Sequence, residues 1–124
     1  MEKIYQEAGD CPISATISVI GGKWKPIIIW VLMKGPHRFG ELHRTIPGMA
    51  LKVLSRQLKE LEKDQIISRR VYAEVPPRVE YTLTGKGESL SEVMNLLSDW
   101  CNANILARRN DPLPVLNTTI KTTS

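Results

Sequence analysis

Residues 51–64 read "LKVLSRQLKELEKD", and the phase between their leucines and their cations decides how the rest of the chain folds. At ~100° per residue in an α-helix, Leu51, Leu54, Leu58 and Leu61 fall within one arc, while Lys52, Arg56, Lys59 and Lys63 fall within another, roughly opposite. The spacing predicts a helix from about Ala50 to Lys63 with a core face and a cationic face. Glu60 and Glu62 stand among the cations as they do on any solvated helix surface. Taken alone, the stretch fits an ordinary exposed face or a surface that meets a polyanion.

The segments on either side narrow that choice. Upstream, "RFGELHRTIPGM" (38–49) places Phe39, Leu42 and Ile46 at i, i+3 and i+7 and breaks at Pro47-Gly48, which predicts a helix of about two turns. Two helices joined by a short break, the second apolar on one side and basic on the other, form a helix-turn-helix pattern. Downstream, "IISRRVY" (66–72) and "VEYTLT" (79–84) are β-branched and aromatic runs separated by "AEVPPR", whose adjacent prolines suit an exposed loop tipped by Arg78. A hairpin of that kind beside a helix-turn-helix is a winged helix.

Further out, "CPISATISVI" (11–20) predicts a short helix with Cys11 at its N-cap, Pro12 in its first turn and Gly21-Gly22 as its stop. "KWKPIIIWVLMKG" (23–35) is apolar nearly all round, as a helix at the centre of the core has to be. From Thr84-Gly85-Lys86 a last helix is expected to reach about Leu106, with Leu90, Val93, Met94, Leu97, Trp100 and Cys101 in a stripe wider than a small domain needs. Its first five members are candidate dimer-interface residues, because two-fold DNA readers need a dimerisation element. The expected fold class is mainly α with a small β-hairpin wing, a winged helix-turn-helix with N- and C-terminal dimerisation helices. The expected organisation is an N-terminal segment (1–10), one DNA-binding and dimerisation domain (11–107) and a flexible tail (108–124) rich in Thr, Pro and Asn.

Composition sets the outer bounds. The chain has 124 residues, 42% hydrophobic and 24% charged, enough to bury a core without disulfides or a metal. Residues 23–78 carry 12 Lys or Arg against 5 Asp or Glu, and the remainder carries 5 against 8. A basic middle between acidic ends is the footprint of a domain that turns one face to a polyanion. The polar opening "MEKIYQEAGD" lacks the form of a secretory signal, and the longest apolar run, Ile27 to Met33, falls short of the ~20 residues of a membrane span, so a cytoplasmic protein is expected. Cys11 and Cys101 form no CxxC pair, no metal or cofactor motif is present, and both are expected to rest as thiols.

Together "CPISATISVIGGKW", "GPHRFGELHRTIPGM", "KVLSRQLKELEKD" and "VYAEVPPRVEYTLTGKG" closely resemble the HxlR-type branch of the MarR-like winged-helix transcriptional regulators, over about residues 11 to 101. The resemblance implies a small dimeric regulator that binds double-stranded DNA, often near its own gene. Two positions depart from the family pattern. Met49-Ala50 replaces the usual Ser before the recognition helix, and Gln65 replaces a Gly after it. Loss of the Ser cap costs about 1 kcal/mol of helix-end stability, and Gln65 has to adopt αL or end the helix differently.

Periodicity and resemblance agree on the recognition helix, whose N-terminal half is expected in the major groove. Its candidates are Lys52, Ser55, Arg56 and Gln57: Arg reads guanine bidentately, Gln reads adenine, and Lys or Ser holds phosphate. Lys59, Arg38 and His43 are backbone candidates, Lys63 is read first as solvated, and Lys23 and Lys25 are placed to hold phosphates. Arg78 is either a minor-groove reader on the wing or a surface partner of Glu74 or Glu80. Cys11 resembles a near-N-terminal cysteine that senses oxidants or electrophiles in some family members, and the unpaired N–H groups at a helix start favour negative charge there, with Asp10 opposing. Packing is the other reading of Cys11 and the first reading of Cys101, which is nonetheless the candidate disulfide partner across a dimer. Two rivals remain: a winged-helix module that binds protein and not DNA, and a regulator answering to a small-molecule ligand. An enzyme is not expected, as HExxH, GxSxG and phosphate-cradling glycine loops are missing.

Overall fold

In a computed structural model, residues 11–106 are described; the expected segments 1–10 and 108–124, and the domain end at residue 107, lie outside them. The order of elements is α1 (Pro12–Ile20), α2 (Lys25–Leu32), α3 (Phe39–Thr45), α4 (Leu51–Lys63), β1 (Ile67–Tyr72), β2 (Arg78–Leu83), α5 (Gly85–Glu88) and α6 (Ser91–Asn104). Cys11 is the N-cap of α1 in extended conformation, Pro12 opens the helix, and the Gly21 N–H closes it on the Ile17 carbonyl. Helix α2 starts with Pro26 in its first turn and turns ~75° away from α1.

The core forms around α2. Its Ile28, Ile29, Val31 and Leu32 are fully buried, and Leu42 and Ile46 at α3, Leu54, Leu58 and Leu61 of α4, Ile67 and Leu83 of the hairpin, and Met94 of α6 close around them. The hairpin is antiparallel, with Ile67 opposite Leu83 at its base and Tyr72 opposite Arg78 at its far end. His37, ahead of α3, exchanges two backbone hydrogen bonds with Tyr81 (3.0 and 2.8 Å), so the start of the helix-turn-helix is fastened to the wing.

Three expectations are corrected. The last helix is two helices: α5 ends at Glu88, the Leu90 N–H bonds the Gly87 carbonyl three residues back, and α6 begins at Ser91. Gly87 lies so close to the Ile66 carbonyl that a Cβ there would collide with it, and this tight seat under the end of α4 fixes the direction of α5 independently of α6. Met94, expected at a dimer face, is buried in the domain's own core, and Leu90 packs against that core. Leu51, expected on the core arc, is 56% exposed. Side chains lean toward a helix N-terminus, and a first-turn residue therefore leans past the last layer of neighbours.

Both family departures have local consequences. Ala50 occupies the N-cap of α4 in the usual extended geometry and supplies no side-chain hydrogen bond. Gln65 takes the left-handed conformation (φ 63°), and its carbonyl accepts a 2.6 Å hydrogen bond from Thr84 Oγ1. Ala50→Ser is expected to raise stability by about 1 kcal/mol by capping an amide at N2 or N3, a gain of about 4–8 °C in thermal midpoint. Thermal denaturation followed by circular dichroism checks it; an unchanged midpoint means that these amides are already satisfied.

Candidate nucleic-acid interface

The two helices of the helix-turn-helix are joined by Ile46–Ala50, and the turn is rigid for a reason readable in its side chains. Ile46 and Met49 are buried and anchor both ends, while Gly48, at φ 85°, supplies the left-handed bend between them. With Leu54, Leu58 and Leu61 turned inward, α4 presents Lys52, Arg56, Lys59 and Lys63 to solvent along a single face, with Ser55 and Gln57 half-buried at its edges. Among the described residues, neither Lys52 nor Lys59 has an ion pair or side-chain hydrogen bond. Like charges one turn apart repel by a few tenths of a kcal/mol, so this face is electrostatically unfavourable until an anion meets it.

Helix α4 is held at its rear by Lys25. That lysine, expected to be free for phosphate, is buried, and its Nζ lies 2.7 Å from Glu60 Oε1. The hydrogen bond and charge of Lys25 pull the Glu60 carboxyl below its ordinary 4.5, with Arg56 and Lys63 adding to the effect. The pair bridges α2 and α4 beside the cationic face. Lys23 lies over the Trp24 ring at 4.6 Å. Arg38 is exposed at the N-cap of α3, where its backbone N–H donates to Glu41 Oε1 (2.7 Å), and His43 is half-buried.

The wing departs from its expected form. Arg78 does not tip the loop; it is the first residue of β2, opposite Tyr72. Its guanidinium meets Glu74 at 3.0 Å and Glu80 at 3.1 Å and lies 4.0 Å from the centre of the Tyr72 ring. A cation neutralised by two carboxylates and stacked on an aromatic ring is a brace of the hairpin, and of the two readings left open for Arg78 this geometry is the surface pairing. Val75 is left fully exposed at the loop. Arg69 and Arg70 are both exposed; the polar side of the ribbon carries Arg70 opposite Glu80, and the other side carries Arg69 opposite Tyr81.

A second surface is apolar. Val93, Leu97 and Trp100 of the expected stripe are exposed, together with Leu96 on α6 and Ile13 and Ile17 on α1. Ile13 and Ile17 were not singled out by the sequence, although their i, i+4 spacing in a nine-residue helix that buries only Ile20 marks a face that no other described residues cover fully. Cys11 and Cys101 are free thiols, both partly buried. A cleft of about 310 Å³ between α1, Ile66 and the α5–α6 junction is apolar apart from Thr16, Ser89 and Lys86, and Lys86 Nζ donates to the Asp64 carbonyl.

The HxlR-like helix-turn-helix family matches residues 19–109. The chain belongs to that family. The provisionally named regulatory protein MalR of Fusobacterium mortiferum is 50% identical over 95 residues, 76% of this chain and 90% of that one. The helix-turn-helix transcriptional regulator YodB of Bacillus subtilis is 43% identical over 93 residues, 74% of this chain and 83% of that one. Among solved structures, the redox regulator HypR in its reduced form superposes with a TM-score of 0.73 at 40% identity, covering 80% of this chain and all of that one, and its oxidised form with 0.72. Helix-turn-helix regulators of this family bind DNA and are not enzymes, and the HxlR-type winged helix is the fold found here.

Two tests follow from the braces. A carboxyl whose pKa is lowered on folding contributes stability that is present above its unfolded value and is lost as pH falls through the folded value. Glu60→Gln is therefore expected to destabilise the protein at pH 7 and to lose that difference in acid below 4.5; denaturant titrations from pH 3 to 7 check it, and a difference independent of pH refutes the ion pair as its source. Arg78→Lys keeps the charge but neither the fork nor the stacking. It is expected to speed amide hydrogen exchange across Val71–Glu80 while exchange in α2 stays unchanged.

Proposed function

We propose that this HxlR-family chain is a homodimeric, sequence-specific DNA-binding transcriptional regulator acting in the cytoplasm, with Cys11 as a thiol sensor. The observation that carries the reading is the solvent-facing row Lys52, Arg56, Lys59 and Lys63 on the second helix of a helix-turn-helix. Lys52 and Arg56, with Ser55 and Gln57 at the edges, sit in the half of α4 that enters a major groove, and Lys59 and Arg38 lie where the phosphate backbone passes. Arg78 keeps the wing ordered beside them. The exposed Ile13, Ile17, Val93, Leu97 and Trp100 suit the pairing of two copies, which would set two recognition helices about one helical turn of DNA apart.

Regulation by thiol chemistry is supported by the relatives. HypR has solved oxidised and reduced forms, and YodB has reduced, diamide-treated and quinone-bound forms. In this chain Cys11 is the N-cap residue of α1, one turn or less from the exposed Ile13, and its thiol is free and partly buried. Oxidation of Cys11 of one subunit with Cys101 of its partner would form one S–S bond, releasing two protons and passing two electrons to a peroxide, and would fix the angle between the two reading heads.

The test is binding of the purified chain to duplex from its own upstream region, titrated with salt and repeated after mild peroxide, for the native protein and Cys11→Ser. A reader making ~6–10 phosphate contacts loses about 10³–10⁵ in affinity between 50 and 200 mM salt. Peroxide is expected to change native binding reversibly and to leave Cys11→Ser untouched. Equal response of both proteins removes Cys11 from the mechanism, and absence of duplex binding favours the protein-interaction module.

A further inference from the structure

We propose that Leu51 is a specificity-determining residue that reads the 5-methyl group of a thymine in the major groove. The proposal rests on the DNA-binding reading and goes beyond it by assigning a base. Four leucines share one arc of α4, yet three are at most 1% exposed and Leu51 is 56% exposed. It is the first residue of the helix, next to exposed Ala50 and Lys52. Its position is not that of a loose end, because Met49, two residues earlier, is buried in the core and Leu54, three residues later, is fully buried. The backbone that carries this branched, largely exposed apolar side chain is thus anchored on both sides, within the turn that a helix-turn-helix directs at base edges.

The partner follows from charge and from groove chemistry. Lys52 and Arg56 flank this turn and draw a polyanion to it. The functional groups along the major-groove edges of the four bases are hydrogen-bond donors and acceptors, apart from the thymine C5-methyl. Leu51 pressed on a purine N7 or a cytosine amine strips water from a polar group without replacing its hydrogen bond; pressed on thymine it buries methyl against methyl. The residue therefore selects for thymine and against the other three bases at the same position.

The experiment selects preferred duplexes from a randomised library with the full chain, then replaces each thymine singly by deoxyuridine, which lacks only the methyl. Affinities are measured for the native protein and for Leu51→Ala, a substitution that a helix start tolerates. One buried methyl is worth about fourfold in affinity, or ~0.8 kcal/mol. The expected result is one thymine per half-site at which deoxyuridine weakens native binding about fourfold and leaves Leu51→Ala unaffected. Native and variant proteins responding alike at every thymine overturns the assignment while leaving DNA binding intact. No duplex binding by either protein overturns the DNA-binding reading, and this assignment with it. The deoxyuridine comparison changes the DNA alone, so a stability change in the variant cannot imitate the expected pattern.

Discussion

Helix α2 has to be covered on nearly every side, and the remaining elements are arranged by that need. Ile28, Ile29, Val31 and Leu32 are buried over nearly half of its circumference, and Ile27, Trp30 and Met33 at the remaining angles also pack against the core, so no single amphipathic partner can bury such a surface. Cover comes from α3, α4, the base of the hairpin and Met94 together. Each of these has one apolar face to give, so each turns its polar face outward, and the orientation of the cationic side of α4 is a consequence of how α2 is enclosed. At about 25 cal/mol per Å² of apolar surface removed from water, this enclosure is the dominant favourable term, and it tolerates the locally unfavourable features found at the edges.

Those features gather on α4 and its ends. The helix lacks a side-chain cap, is followed by a left-handed Gln65, and carries four cations in a row. Each runs against local preference by roughly 0.3–2 kcal/mol. A missing side-chain cap is shared with α1 and α2, but the left-handed non-glycine residue and the row of like charges belong to α4 and its end, and they point to a constraint other than stability. Repairs nearby offset part of the cost: Thr84 holds the Gln65 carbonyl, Lys86 holds that of Asp64, and Lys25 compensates Glu60.

The architecture was readable in the sequence wherever periodicity and breakers coincide, as at Pro12, Gly21, Pro26 and Pro47-Gly48. Reading failed where an outcome depends on a neighbour distant along the chain. Lys25 and Glu60 are 35 positions apart, and nothing local marks that lysine as already occupied. Arg78 could be matched with Glu74 or Glu80 from spacing, but the Tyr72 ring that completes its enclosure is placed by the hairpin register. Leu51 shares an arc with three core leucines; periodicity gives the direction of a side chain and not whether the opposing layer extends that far. Met94 and Val93 belong to one stripe, but as consecutive helical residues they point ~100° apart, and only the packing of α6 shows that Met94 turns inward and Val93 out.

The same enclosure bears on how a signal at Cys11 can reach DNA. Helix α1 is only lightly embedded: Ile20 at its C-terminal end enters the core, and Ile13 and Ile17 do not. Its N-terminal turn can therefore shift without opening the cluster around α2. The path from Ile20 into that cluster continues through α2 to Lys25, whose ion pair sets the rear of α4. In the proposed mechanism, a covalent change at the Cys11 end of α1 would act on its packed Ile20 end, while within each copy α4 stays packed against α2. Rotation of one whole head relative to the other costs far less than repacking a fully buried core. In the proposed dimer, a covalent change at Cys11 would therefore alter the spacing of two intact reading heads before it disturbed the recognition helix itself.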